Sequence, residues 1–219
     1  MRVATWNIRH AAAPGSTSRL GAVVSACRSL DADVLALQEV DVRTPRAWFR
    51  DQAGVVGRAL GLHVVFVPNR SWGAGGRAGN ALLSRRPIRA RRVVELGGDR
   101  HPRRALIATT GDLAVVVTHL AADRKVAARQ FAALVGHLSD ISGPLVLLGD
   151  LNAGPAELAA TAAAAGLARV PTGPSFPAAM PTDPIDWIAI RGLEATGGRV
   201  VAVAGSDHLA VAADLRPSG

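Results

Sequence analysis

The sequence has one cysteine, one lysine and no tyrosine in 219 residues. The lone Cys27 excludes an intramolecular disulfide framework and a zinc centre built on several thiolates. Its neighbours Ala22-Val23-Val24-Ser25-Ala26 are apolar in a helical pattern, so Cys27 reads as a core residue suited to a reducing compartment. No apolar run approaches the ~18 to 20 residues of a membrane-spanning helix. A strand-like pattern starts at once with Met1-Arg2-Val3-Ala4-Thr5-Trp6-Asn7, with no signal-like apolar stretch ahead of it. A cytoplasmic protein without a transmembrane segment is the expectation. No serine or cysteine stands in a nucleophile elbow, which leaves water as the nucleophile of any hydrolysis. No Gly-Lys-Ser/Thr closes the glycine-dense stretch at 71–80, so it reads as a connector and not a nucleotide-binding loop. Linker composition, coiled-coil repeats and low-complexity tails are also missing, and one domain over 1–219, acting as a monomer, is expected.

What is present is ample apolar material, 49% of residues, and a net charge of +8 carried almost entirely by arginine. A GC-rich coding sequence inflates Arg, Ala and Gly and depletes Lys and Tyr, and accounts for much of that bias. The charge is nonetheless physical, and the planar guanidinium matches phosphate oxygens in pairs, so anionic partners are favoured.

Leu145-Val146-Leu147-Leu148-Gly149-Asp150-Leu151-Asn152 shows how the chain is organised. Four apolar residues without alternation read as a strand buried on both faces. A carboxylate and an amide sit at its end. Gly-Asp-x-Asn is good turn chemistry, but burying an Asp costs several kcal/mol unless it is paired or bonded, and other strands finish in the same way. Val3 to Ile8 carries Asn7. A helix capped from Ser16-Thr17, with Leu20, Val23, Val24, Cys27 and Leu30 on one face, leads to the strand Val34 to Glu39. That strand-helix-strand unit places Asn7 and Glu39 at one sheet edge.

Residues 45–60 read as helix, His63 to Val67 as a strand, and Asn80 as the residue opening the strand Ala81 to Ser84. The arginines at 85–104 read mostly as a solvated hairpin edge. Ala105–Thr109 and Leu113–His119 pair through Thr110-Gly111-Asp112, an antiparallel hairpin that rules out a purely parallel sheet. A helix at 124–139 precedes the strand at 145, and an alanine-rich helix starts at Pro155. After a Pro-, Gly- and Ser-rich loop at 170–184, Asp186 opens a strand, Val200 to Ala204 forms another, and Asp207-His208 precedes the last. Two strand-helix-strand halves suggest a weak internal duplication.

The strand ends thus supply Asn7, Glu39, Asn80, His119, Asp150, Asn152, Asp186, Asp207 and His208. Sites in α/β sheets form from such ends. The oxygen-rich set suits Mg2+ or Mn2+, which take one or two carboxylates and leave positions for water and phosphate oxygens. Asp186 with Asp207-His208 is a carboxylate–histidine arrangement.

Seven segments, Thr5-Trp6-Asn7-Ile8, Leu37-Gln38-Glu39-Val40, Gly79-Asn80-Ala81-Leu82-Leu83-Ser84, Thr118-His119-Leu120, Gly149-Asp150-Leu151-Asn152, Asp186-Trp187-Ile188 and Ser206-Asp207-His208, resemble in order the motif series of the endonuclease/exonuclease/phosphatase superfamily. The resemblance implies a four-layered α/β sandwich, two mixed β-sheets face to face with helices outside, and Mg2+-dependent hydrolysis of phosphoesters. It implies Glu39 as principal metal ligand with Asn7 and Asp207 near the ion. Asp150 and His208 would position or activate water, and Asp186 would orient His208. Asn152, Asn80 and His119 would hold phosphate oxygens, joined by Arg103, which resembles an Arg found before a strand in one branch. Members that repair abasic DNA carry Tyr where His119 stands and Asp where Arg9 stands; Thr118-His119-Leu120 resembles the branch of phosphodiesterases, sphingomyelinases and deoxyribonuclease-like enzymes. A nuclease on DNA or RNA is the first expectation. A phosphatase or phospholipase-type phosphodiesterase on a small or lipid phosphate is the alternative, and an inactive binding module the third.

Overall fold

The computed structural model describes residues 1–11, 19–98 and 102–218. Among the described residues, twelve strands form two six-stranded sheets. In the first, β11 (Leu193–Val201), β12 (Ala210–Pro217), β1 (Arg2–Asn7), β2 (Val34–Val42), β4 (Arg77–Ser84) and β3 (His63–Ser71) lie in that order. The second runs β5 (Ile88–Glu95), β6 (Arg104–Thr110), β7 (Leu113–His119), β8 (Leu145–Asp150), β10 (Asp186–Arg191) and β9 (Ala168–Arg169). Each sheet has one parallel pair, β1 with β2 and β7 with β8, and antiparallel neighbours otherwise. The two orders superimpose position for position, so the duplication read from the sequence is present in the topology.

Side-chain alternation along the strands builds four layers. Val3, Ala36, Leu82 and Val211 of the first sheet meet Leu106, Val117, Leu148 and Ile188 of the second in a buried core between the sheets. The opposite face of the first sheet, with Trp6, Leu35 and Leu37, packs on α1 (Leu20–Leu30) and α2 (Gln52–Leu60). Leu145, Leu147 and Trp187 on the outer face of the second pack on α3 (Arg124–Gly136) and α4 (Pro155–Ala164). This is the mixed, four-layered sandwich the motifs implied.

Several local expectations need correction. Residues 45–60 are not one helix: a 3-10 turn covers Pro45–Ala47, and α2 begins at Gln52, capped by the Asp51 side chain on Gly54 N. The connector at 71–80 is shorter, because β3 runs to Ser71 and β4 starts at Arg77. Asn80 therefore lies inside β4, not at its opening. The strand expected at Val200 to Ala204 is β11 and begins earlier, at Leu193, as the partner of β12. Polar and glycine residues on this exposed strand hide its alternation. The helix cap at Ser16-Thr17 falls outside the described residues.

Candidate active site

Strand register delivers most of the strand-end residues to the gap between the sheets at one end of the sandwich. Asn7 continues the inward row of Val3 and Thr5, and Asp150 that of Val146 and Leu148. His119 lies opposite Asp150 in the parallel pairing and Asp186 lies opposite it in the antiparallel one. Three neighbouring strands thus place His119, Asp150 and Asp186 side by side. Gly149 makes the approach possible, since a Cβ there would collide with the Thr118 carbonyl oxygen of the adjacent strand.

Glu39 arrives differently. Between Leu37 and Val40 the β2–β4 register shifts, so Gln38 and Glu39 share one position opposite Asn80, and Glu39 has φ 53°. A bulge of this kind turns a side chain out of the regular alternation. It brings the Glu39 carboxylate, 29% exposed, to the wall of a cavity of about 200 Å3 shared with His119 and Arg103.

Asn7 links the two carboxylates: its Nδ2 donates to Asp150 Oδ2 at 2.9 Å and to Glu39 Oε1 at 3.3 Å. Asp150 also accepts from the Asn152 backbone N–H at 3.0 Å, and Asn152 itself has a left-handed φ of 51°. Asn152 Nδ2 lies 3.1 Å from His119 Nε2 and donates to the Leu120 carbonyl at 3.0 Å. His208 Nδ1 is 2.9 Å from Asp186 Oδ2, and its Nε2 faces Asp150 Oδ2 at 3.7 Å. Asp207 carries its carboxylate to Arg9, 3.1 Å away; the position where repair enzymes carry Asp is here a cation paired with the expected metal ligand. Asn80 is buried with both side-chain polar atoms unpartnered among the described residues.

The electrostatics separate these groups. Burial, then the nearby Asp186 charge, pushes the Asp150 carboxyl up to about 7. For His208, burial favours the neutral ring, but the hydrogen bond and charge of Asp186, with Asp150 and Asp207, outweigh it and raise the imidazole to about 9. Burial and the Arg103 cation lower His119 to about 3. Its 3.4 Å approach to Asp150 Oδ2 is therefore a contact of a neutral ring and not an ion pair. Glu39 is opposed by burial, yet the hydrogen bond from His10 and further charges hold it well below the usual carboxylate range.

Sequence reasoning missed the supports of this site. His10 bridges Glu39 Oε2 at 2.9 Å and Asp41 Oδ1 at 3.2 Å, within a run of positive φ at Arg9, His10 and Ala11. The buried Asp41 is in turn held by Arg46 and Thr44. Ser175 Oγ donates to Asp186 Oδ2 at 2.6 Å, and the Phe176 ring lies 4.7 Å from the His208 ring. The 170–184 loop is thus packed on the histidine. The only signal in the sequence was a polar, proline-rich composition bordering Asp186.

The family model of the Endonuclease/Exonuclease/phosphatase family matches residues 4–208. The chain belongs to this family. The endonuclease/exonuclease/phosphatase of Beutenbergia cavernae is 26% identical, covering 100% of this chain and 72% of that one, with a TM-score of 0.77. The human Nocturnin catalytic domain is 20% identical with a TM-score of 0.78, covering 100% and 93% of the two chains. A mannosyl-6-phosphatase of Bacteroides thetaiotaomicron is 19% identical with a TM-score of 0.77, over 99% of each chain. These last two likenesses are of fold. Among curated proteins none matches the sequence.

As a member of this family the protein is a phosphoesterase, and its site contains groups able to hold a metal ion. Asp150, Asp186 and His208 present ligand atoms within 4.8 Å of one another. That trio, however, has His208 Nδ1 and Asp186 Oδ2 already bonded to each other deep in the protein. Glu39 is ionised and partly exposed on the cavity, with the Asn7 amide nitrogen beside it and the Asn7 Oδ1 accepting from Arg9 N.

Proposed function

We propose that the protein is a divalent-metal-dependent phosphodiesterase that cleaves DNA or RNA by attack of water on phosphorus. The observation that supports this best is the position of Asp150. It is a buried carboxyl oriented by Asn7 and the Asn152 amide, with its pKa near neutrality and a histidine on either side. A base with a pKa near the working pH combines availability with proton affinity. Asp150 takes the proton of the attacking water as oxygen bonds to phosphorus and the ester oxygen departs. His208, kept cationic by Asp186, lies against the charge that develops on the phosphoryl oxygens, while the Asn152 amide and neutral His119 act as hydrogen-bonding partners. Asn80, with unpartnered polar atoms, and Arg103, on the cavity wall, complete the phosphate contacts.

Glu39, Asn7 and Asp207 would hold Mg2+, or Mn2+ in its place, with the Asn7 amide turned to offer Oδ1 in place of Nδ2; carboxylate and amide oxygens suit such a hard cation. The ion would supply Lewis-acid neutralisation of the phosphate and a template for it. The net charge of +8 favours a polyanionic substrate over a small ester.

The test is a substrate panel with purified protein in Mg2+ or Mn2+: plasmid, single-stranded DNA, RNA, bis-p-nitrophenyl phosphate and a sugar phosphate. Cleavage of nucleic acid, abolished by EDTA, is expected. Release of phosphate from the monoester alone would replace the nuclease reading with a phosphatase, and activity that survives EDTA would remove the metal.

A further inference from the structure

The segment between β2 and α2 carries an unusual surface. Trp48 and Phe49 are 61% and 63% exposed, whereas Trp6, Trp187 and Phe131 are fully buried. Both have left-handed backbones, φ 54° and 55°, a conformation that costs energy for bulky side chains. Nothing in the turn's own bonding asks for aromatics. Arg43 N donates to Arg50 O and Phe49 N to Thr44 O, each at 2.9 Å, and Thr44 Oγ1 donates to the buried Asp41 at 2.7 Å. These bonds fix the turn and present the two rings on a rigid tip, with exposed Arg43, Arg46 and Arg50 around them.

A second observation connects this tip to the catalytic cavity. The Arg46 guanidinium lies 5.1 Å from the centre of the Trp72 ring, and that of Arg70 lies 4.7 Å from it. Arg46, Arg70 and Trp72 line the same cavity as Glu39 and His119. Aromatic faces alternating with guanidinium groups thus run from the surface to the site.

We propose that residues 43–50, continued by Arg70 and Trp72, bind single-stranded nucleic acid and lead the strand to the catalytic cavity. Exposed rings accept unstacked bases whatever their sequence, and neighbouring cations track the backbone phosphates. A duplex hides its base faces and gains only the phosphate contacts. An aromatic pair flanked by arginines also suits a membrane interface, but continuity with a phosphate-ester site favours the strand. The inference rests on the nuclease reading given above.

The experiment measures binding of a fluorescein-labelled, phosphorothioate-linked oligothymidylate by anisotropy in Mg2+, for wild type and for W48A/F49A. Both side chains are solvent-exposed, so thermal melting should confirm an intact fold. Kd is expected to rise about tenfold or more in the double variant, and the wild type should bind the single strand more tightly than a duplex of equal length. A Kd within twofold of wild type overturns the proposal. So does a variant that keeps the strand and loses sedimentation with phosphatidylserine vesicles. If the wild type hydrolyses no phosphate ester, the nuclease reading falls while this binding result stands. If it does hydrolyse nucleic acid and W48A/F49A cuts an ordinary phosphodiester oligothymidylate as well as wild type does, the surface alone falls.

Discussion

Glu39 and Asp150 occupy equivalent places in the two sheets. Each lies on the second strand of a parallel pair, β2 after α1 and β8 after α3, and Asn7 donates to both. Their chemistry is nevertheless opposite. A bulge turns Glu39 onto the cavity wall, where the His10 imidazole stabilises its charge. Asp150 stays in register, deep between sheets, beside a second acid. One backbone plan thus yields an ionised carboxylate on the cavity wall and a carboxyl that holds its proton more tightly than an ordinary aspartate does. The difference lies in local register and burial and not in residue type.

The sharpest break of this comparison is to remove the proton-handling half. D150A and H208A are each expected to lose ~10³-fold or more in kcat with circular dichroism unchanged. A drop below tenfold in either would mean that the Glu39 half alone performs the chemistry. E39Q, by contrast, should lower activity chiefly by weakening metal binding, so raising Mn2+ should recover part of it. Recovery of D150A by the same treatment would show that the two halves do not differ as argued.

A smaller effect is expected at the phosphate contacts. N152A should lose ~10²-fold in kcat, the scale of one hydrogen-bond donor to developing charge. Because its side chain also reaches His119 and the Leu120 carbonyl, N152D serves as a second variant: it keeps the size and removes the donors. Equal losses in both would support the donor role, whereas near-wild-type N152D would assign Asn152 to turn geometry.

Much of this arrangement was legible beforehand, for a physical reason. Buried strands that end on Asn, Asp or His carry a cost that a site repays, and parallel pairing gathers those ends at one edge. His119 and Asp150 followed from that logic, and Asp186, which opens a strand antiparallel to β8, stands in register beside them. The bulge was not legible, because Gln38-Glu39 continues the strand without any change in composition. Neither was His10, whose partners Glu39 and Asp41 lie across a turn with no periodic signal. Ser175 and Phe176 sit in a loop whose path depends on tertiary packing. Trp48 and Phe49 misled the reading, since aromatics near Leu60 at mixed spacing resemble a helix face, while the chain instead turns at Trp48 through left-handed backbone.

A positioning effect should be smaller again. Ser175 touches Asp186, not the reacting atoms, so S175A is expected to lower kcat by roughly tenfold or less, with S175T restoring part of it. The readout that separates this from plain destabilisation is the titration of His208 followed by NMR. Losing the serine removes one competitor for Asp186 Oδ2, and the imidazole pKa should move while the melting temperature stays within a few degrees. An unmoved pKa with lowered activity would show that Ser175 does not act through Asp186 and His208.

The smallest effect tests the electrostatic contrast itself, in EDTA, through stability. Asp150 titrates near 3.8 when unfolded and about 7 when folded, so between those values the native state binds a proton that the unfolded chain has lost. Stability therefore falls as pH rises through that window. His208 moves from 6.5 to about 9; its contribution is full below 6.5 and is lost as pH rises through 9. Glu39 has the reverse sign: its lowered pKa gives stability above its ordinary value of 4.5, lost as the solution becomes more acidic. Melting temperatures measured from pH 3 to pH 9 should thus decline toward both ends, by an amount on the order of a few degrees per kcal/mol. D150N should flatten the fall between pH 3.8 and about 7, and E39Q the loss on the acidic side. Parallel curves for the two variants would show that the carboxylates are electrostatically alike, and that the bulge at Glu39 sets only its position.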